Sequence, residues 1–174
     1  MELMLHCGAQ EATPQDLAAV PVPQVTKSYC PVTHDNLANM LSEMGQSILS
    51  GFELSQSQFG LSRDGQQLFG IHTFHNGRSD LGLSIGFRNS YDKSLSVGIA
   101  VGASVFVCDN LALTGDITVM RKHTLNVQSD LEQLAVTSIL KARTAFTQVS
   151  EDAGRMKDLP LENDNAFRLI GLLY

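Results

Sequence analysis

The sequence predicts an α+β fold: a curved, largely antiparallel sheet with an N-terminal helix and a long C-terminal helix. Three observations carry this. Apolar residues recur at helical spacing at Leu37, Met40, Leu41, Met44 and Ile48, and again at Leu131, Leu134, Ala135, Ser138, Ala142, Ala145, Phe146 and Val149. The segments between them alternate apolar and small residues, as half-buried strands do. Asp64-Gly65 and Asn76-Gly77 punctuate those segments with the dipeptides that favour tight hairpin turns. At 174 residues and 43% hydrophobic content, the chain can bury one core without staples. Its 17% charged content argues against intrinsic disorder.

Residues 1–31 hold four of the five prolines, Pro14, Pro21, Pro23 and Pro31. Proline fixes φ and biases its predecessor toward extended geometry, so this segment reads as an extended N-terminal arm. Residues 32–174 read as a single α+β domain. Thr33 can cap the first helix, Asp35 sits in its first turn, and Gly51 ends it. A hairpin follows, from residues 51–61 through Arg63-Asp64-Gly65 to residues 67–74. Residues 81–90 then set Leu83, Ile85 and Phe87 against Gly82, Ser84 and Gly86, leaving one face nearly bare. Such a face admits a ligand, a nucleic-acid strand, another backbone, or the N-terminal helix.

Tyr91-Asp92-Lys93-Ser94 is the next turn. Residues 95–107 read as one long strand with a bulge or bend near Gly102. Residues 111–121 form a further strand kinked at Gly115-Asp116. The long helix is expected over residues 130–153, capped by Ser129 or Asp130. A short terminal helix is expected over residues 166–173.

Charge is unevenly spread within the net −6. Residues 1–59 carry one Lys and six acids, while residues 60–143 carry eight Lys/Arg and seven acids. A basic central region permits a local nucleic-acid groove on an acidic protein. No apolar run reaches the length that spans a bilayer. The first eight residues lack a basic region and contain Glu2, so a signal peptide is not expected. The expectation is a soluble, cytoplasmic protein with no membrane partner.

Cys7, Cys30 and Cys108 show no C-x-x-C spacing, so neither a zinc ribbon nor a thioredoxin-type pair is signalled. His72 and His75 fall on a strand, where a spacing of three points them to opposite faces. No cofactor and no metal site is expected. Cys108, in an apolar run, reads as a buried thiol. Catalysis at Cys108 would need a base such as His123 beside it. Two polar clusters remain. Arg88-Asn89-Ser90-Tyr91-Asp92-Lys93 exceeds what turn chemistry requires, since Arg88 and Lys93 can bind phosphate and Tyr91 can stack on a base. Arg121-Lys122-His123 either protects a sheet edge or contacts phosphate.

Residues 86–94, residues 102–111 and Arg121-Lys122-His123-Thr124, with Pro31-Val32-Thr33-His34 before the first helix, resemble a phage- and plasmid-borne family of uncharacterised proteins. The resemblance covers residues 29–174 and implies a mobile-element setting: DNA replication, recombination or interference with host defence. It transfers no catalytic residue. A run of strands followed by a long helix is also similar, as an arrangement, to phage single-strand annealing proteins. The leading expectation is therefore a non-enzymatic homo-oligomer that binds single-stranded DNA through Arg88, Tyr91, Lys93, Arg121, Lys122 and His123. The alternatives are an inhibitor that binds a host protein through the acidic N-terminal region, and an enzyme using Cys108 or the histidines.

Overall fold

The computed structural model describes residues 2–77, 81–157, 160 and 162–173. Its elements are β1 (Glu2–Met4), β2 (Gln10–Ala12), α1 (Pro14–Ala19), α2 (His34–Ile48), β3 (Glu53–Ser62), β4 (Gln67–His75), β5 (Leu83–Ser90), β6 (Val97–Gly102), β7 (Phe106–Cys108), β8 (Leu113–Thr114), β9 (Ile117–Arg121), α3 (Val127–Lys157) and α4 (Asn163–Leu173). The fold is α+β, as the residue pattern predicts. Six strands form an antiparallel sheet in the order β2-β3-β4-β5-β6-β9. A smaller mixed sheet has the order β1-β7-β8, with β1 parallel to β7.

Helices α2 and α3 cover one face of the large sheet. Leu37 and Leu41 of α2, and Leu131, Ala135, Ile139, Ala142 and Phe146 of α3, share a core with Leu83, Ile85, Phe87, Val97, Ile99 and Val101. Thr33 caps α2 as expected, its side chain accepting from Asn36 N. The chain leaves α2 through Gly51, whose φ of 85° suits a residue without Cβ.

The bare face of β5 is occupied by the small sheet. Phe69, Ile71 and Ala100 of the large sheet pack there with Leu3, Val105, Val107 and Leu113. A Cβ on Gly86 would lie 2.5 Å from Val107 Cγ2 and 2.6 Å from Val105 Cγ1. At Gly86 the space is taken by side chains of the small sheet, and the N-terminal helix is not what covers this face. The N-terminal helix packs on the opposite, apolar face.

Other elements depart from the sequence reading. Residues 95–107 are not one strand: the chain leaves the large sheet after Gly102 and enters the small one as β7. Asp116 sits at the exit, accepting from Ala103 N at 2.9 Å and filling the space a Cβ on Gly102 would take. The kink at Gly115-Asp116 separates β8 from β9. Residues 53–62 are one strand, whose irregular alternation is a bulge between Leu54 and Gln56. The long helix begins at Val127 and runs to Lys157, further at both ends than expected. The arm is extended only from residue 21 onward. Before it, β1 and β2 join the two sheets, and α1 is held by a reciprocal capping box between Thr13 and Asp16.

Candidate nucleic-acid interface

Strands β5 and β9 both run antiparallel to β6, so they finish at the same end of the sheet. This brings residues 88–93 and 121–123, some thirty positions apart, to one place. The end of the extended arm joins them: Cys30 N donates to His123 O at 3.1 Å. Tyr29 holds the three segments together. Its hydroxyl donates to Tyr91 O at 3.4 Å, its ring lies 5.4 Å from that of His123, and Lys93 Nζ sits 4.6 Å above its face.

Beneath the surface is a buried polar network. Asn89 donates through Nδ2 to Val32 O at 2.6 Å and to His34 Nδ1 at 3.0 Å, while its Oδ1 accepts from His123 Nε2 at 2.8 Å. His34 Nε2 donates to Gly65 O at 3.0 Å. Burial pushes the His34 imidazole down to about 4, although the Gly65 carbonyl opposes it. Burial also lowers His123. For His34 the neutral form is also what the bonding requires, since its Nδ1 accepts from Asn89.

The six residues expected to contact DNA therefore meet at one sheet end, but with unequal roles. Tyr91 is buried; its ring stacks on His34 at 3.9 Å and 4°, and its hydroxyl accepts from His34 N at 2.9 Å. It presents no face to a base. His123 is buried and bonded to Asn89, so it adds no positive charge. Arg88 donates through Nη1 to Leu111 O and holds Nη2 3.8 Å from Met120 Sδ. Arg121 pairs with Asp130 at the start of α3. Lys93 and Lys122 are exposed, and Lys27, on the turn closed by Thr26 N to Tyr29 O, is an exposed cation that the sequence reading passed over. Only its place in the fold, beside Tyr29, marks it.

The histidines and cysteines are also rearranged relative to expectation. His72 is buried between Ser57 Oγ at 2.8 Å and Ala38 O at 2.9 Å, and burial pushes it down to about 4. His75 is exposed at the end of β4. Cys108 is buried, yet His123 is not its neighbour among the bonds described; His6 is, with Nδ1 3.5 Å from Sγ. Among the described residues no helix is long and apolar enough to cross a membrane.

Residues 21–174 match the model of a family described as a domain of unknown function (DUF932), and the chain belongs to that family. Neither the curated proteins nor the solved structures contain a match.

Proposed function

We propose that this member of DUF932 is a non-enzymatic protein of phage or plasmid type that binds single-stranded DNA as a homo-oligomer, at the end of the large sheet where β5 and β9 finish. The observation that supports this is the gathering of residues 26–30, 91–93 and 121–123 around Tyr29, which brings the segments bearing Lys27, Lys93, Arg121 and Lys122 together. Flexible ammonium groups on a rigid support neutralise phosphates without reading bases. With Tyr91 sealed against His34, affinity on this reading comes from the backbone rather than from stacking.

The test is a titration of single-stranded oligonucleotide at several salt concentrations. Replacing Lys27, Lys93 and Lys122 together by Ala is expected to weaken binding and to flatten the salt slope by about 2, at ~0.7 per phosphate contact. These side chains are exposed, so the variant should stay folded. Absence of wild-type binding at low salt would refute the proposal. Binding with an unchanged slope in the triple variant would refute this site.

A further inference from the structure

The parallel pairing of β1 with β7 sets Met4 opposite Cys108, and Asp109 N donates to Met4 O at 3.2 Å. The chain carries His6-Cys7 two residues past β1, and Cys108-Asp109 at the end of β7. His6 Nδ1, Cys108 Sγ and Asp109 Oδ1 form a triangle with edges of 3.5 Å (N to S), 3.7 Å (S to O) and 3.7 Å (N to O). We propose that these three atoms form one face of a tetrahedral binding site for a divalent transition metal, zinc by preference, with the fourth position open to solvent.

The dimensions argue for it. With Zn–S near 2.3 Å, and Zn–N and Zn–O near 2.0–2.1 Å, tetrahedral angles place such ligand atoms about 3.3–3.6 Å apart. The observed triangle needs to contract by only a few tenths of an ångström. A thiolate, an imidazole and a carboxylate make a donor set suited to zinc and poorly suited to magnesium or calcium, which prefer all-oxygen shells.

The surroundings hold the ligands in place. Asp109 is buried, and its carboxylate accepts from His6 N at 3.1 Å, Cys7 N at 2.7 Å and Ala9 N at 3.0 Å. Only the first of these falls on Oδ1, which keeps a lone pair for a cation. Asn110 N donates to Cys108 Sγ at 3.3 Å, which fixes the position of the sulfur. The turn that sets this N–H passes through Leu111 at φ 65°, and Arg88 clamps it through the Leu111 carbonyl. Outer contacts of this kind orient metal ligands. Binding releases the Cys108 thiol proton to solvent. His6, about half exposed, gives the ion a path in. Cys7 is exposed next to His6 and stays outside the three-atom set.

The experiment uses the reduced full chain, stripped with chelator and titrated with cobalt(II) as a spectroscopic substitute for zinc. Expected are one equivalent bound, thiolate-to-cobalt charge-transfer absorption, ligand-field bands of tetrahedral intensity, and displacement by zinc. His6→Ala, at a half-exposed position, should keep the fold and weaken cobalt binding at least about tenfold, a loss that even outer-shell changes can produce. Cys108→Ser should abolish the charge-transfer band, and Cys7→Ser should leave it unchanged. Zinc should also slow thiol labelling of Cys108 in the wild type. No charge-transfer band in the wild type, or His6→Ala binding cobalt with unaltered affinity and spectrum, would overturn the site. A band lost in Cys7→Ser would overturn the assignment of ligands. None of these readouts involves DNA, so the outcome is independent of the function proposed above.

Discussion

Asn89 Oδ1 accepts the Nε2 proton of His123 at 2.8 Å, and this bond joins the end of β5 to the chain leaving β9. Through Nδ2 the same amide also reaches Val32 O and His34 Nδ1. Replacing Asn89 by Ala leaves a carbonyl and two imidazole nitrogens without their partner in a buried site. At ~1–3 kcal/mol for each buried group left unsatisfied, with partial relief from water, a loss of roughly 2–4 kcal/mol is expected. Urea unfolding would measure it, and a loss below about 1 kcal/mol would show that the amide is not the hub of this network.

Stability should fall in mild acid. His34 and His72 have native pKa values of about 4 against an ordinary 6.5, chiefly from burial. Between those values the unfolded chain binds more protons than the native one, so stability rises with pH. The contribution is complete above about pH 6.5 and is lost as pH falls toward 4. The groups near His34 are Asp35, His123, the Tyr91 ring, the Asn89 amide and the Gly65 carbonyl; His72 meets Ser57 and the Ala38 carbonyl. Each shift corresponds to roughly 3 kcal/mol at 1.36 kcal/mol per unit. Urea midpoints compared near pH 7.5 and pH 5 would test this, and equal midpoints would contradict it.

Valine is favoured in strands, but at position 86 it should destabilise. The space for its Cβ is already taken by Val105 and Val107 of the small sheet. Overpacking of this kind costs about 1–3 kcal/mol, so Gly86→Val is expected to lower the thermal midpoint. A raised midpoint would mean that the two sheets separate at little cost.

Asp130 neutralises Arg121 at the proposed interface. The pair is only about one-third exposed on each side, and losing it should cost no more than about 1 kcal/mol of stability. If single-stranded DNA binds at this end of the sheet, Asp130→Ala should tighten binding and steepen the salt slope. Weaker binding by a folded Asp130→Ala protein would place the DNA elsewhere.

The apolar pattern made the two main helices and most of the large sheet readable, because periodicity reports which face of an element is buried. It could not show what lay on the bare face of β5, since small residues accept many kinds of neighbour. Tyr91 illustrates the limit. A tyrosine in a polar turn has the chemistry of a stacking platform, and only the packing of His34 against its ring takes that role away. Cys108 was legible as a buried thiol, but its neighbour was not, because nothing local forecasts that a strand at residues 2–4 pairs in parallel with one at residues 106–108.

By itself, then, the sequence determined the helix stripes, the Thr33 cap, the turn at residues 63–65 and the α+β class. Each follows from short-range backbone preference and from which side chains avoid water. Tertiary structure decided the rest. It set the small sheet on the Gly86 face, buried Tyr91 and His123 while leaving Lys27, Lys93 and Lys122 exposed, and moved His6 across a hundred residues to Cys108 and Asp109. Those outcomes depend on contacts between segments far apart in the chain. Such contacts form only when burial and hydrogen bonding across the whole fold outweigh the entropy of closing long loops, and no local pattern carries that balance.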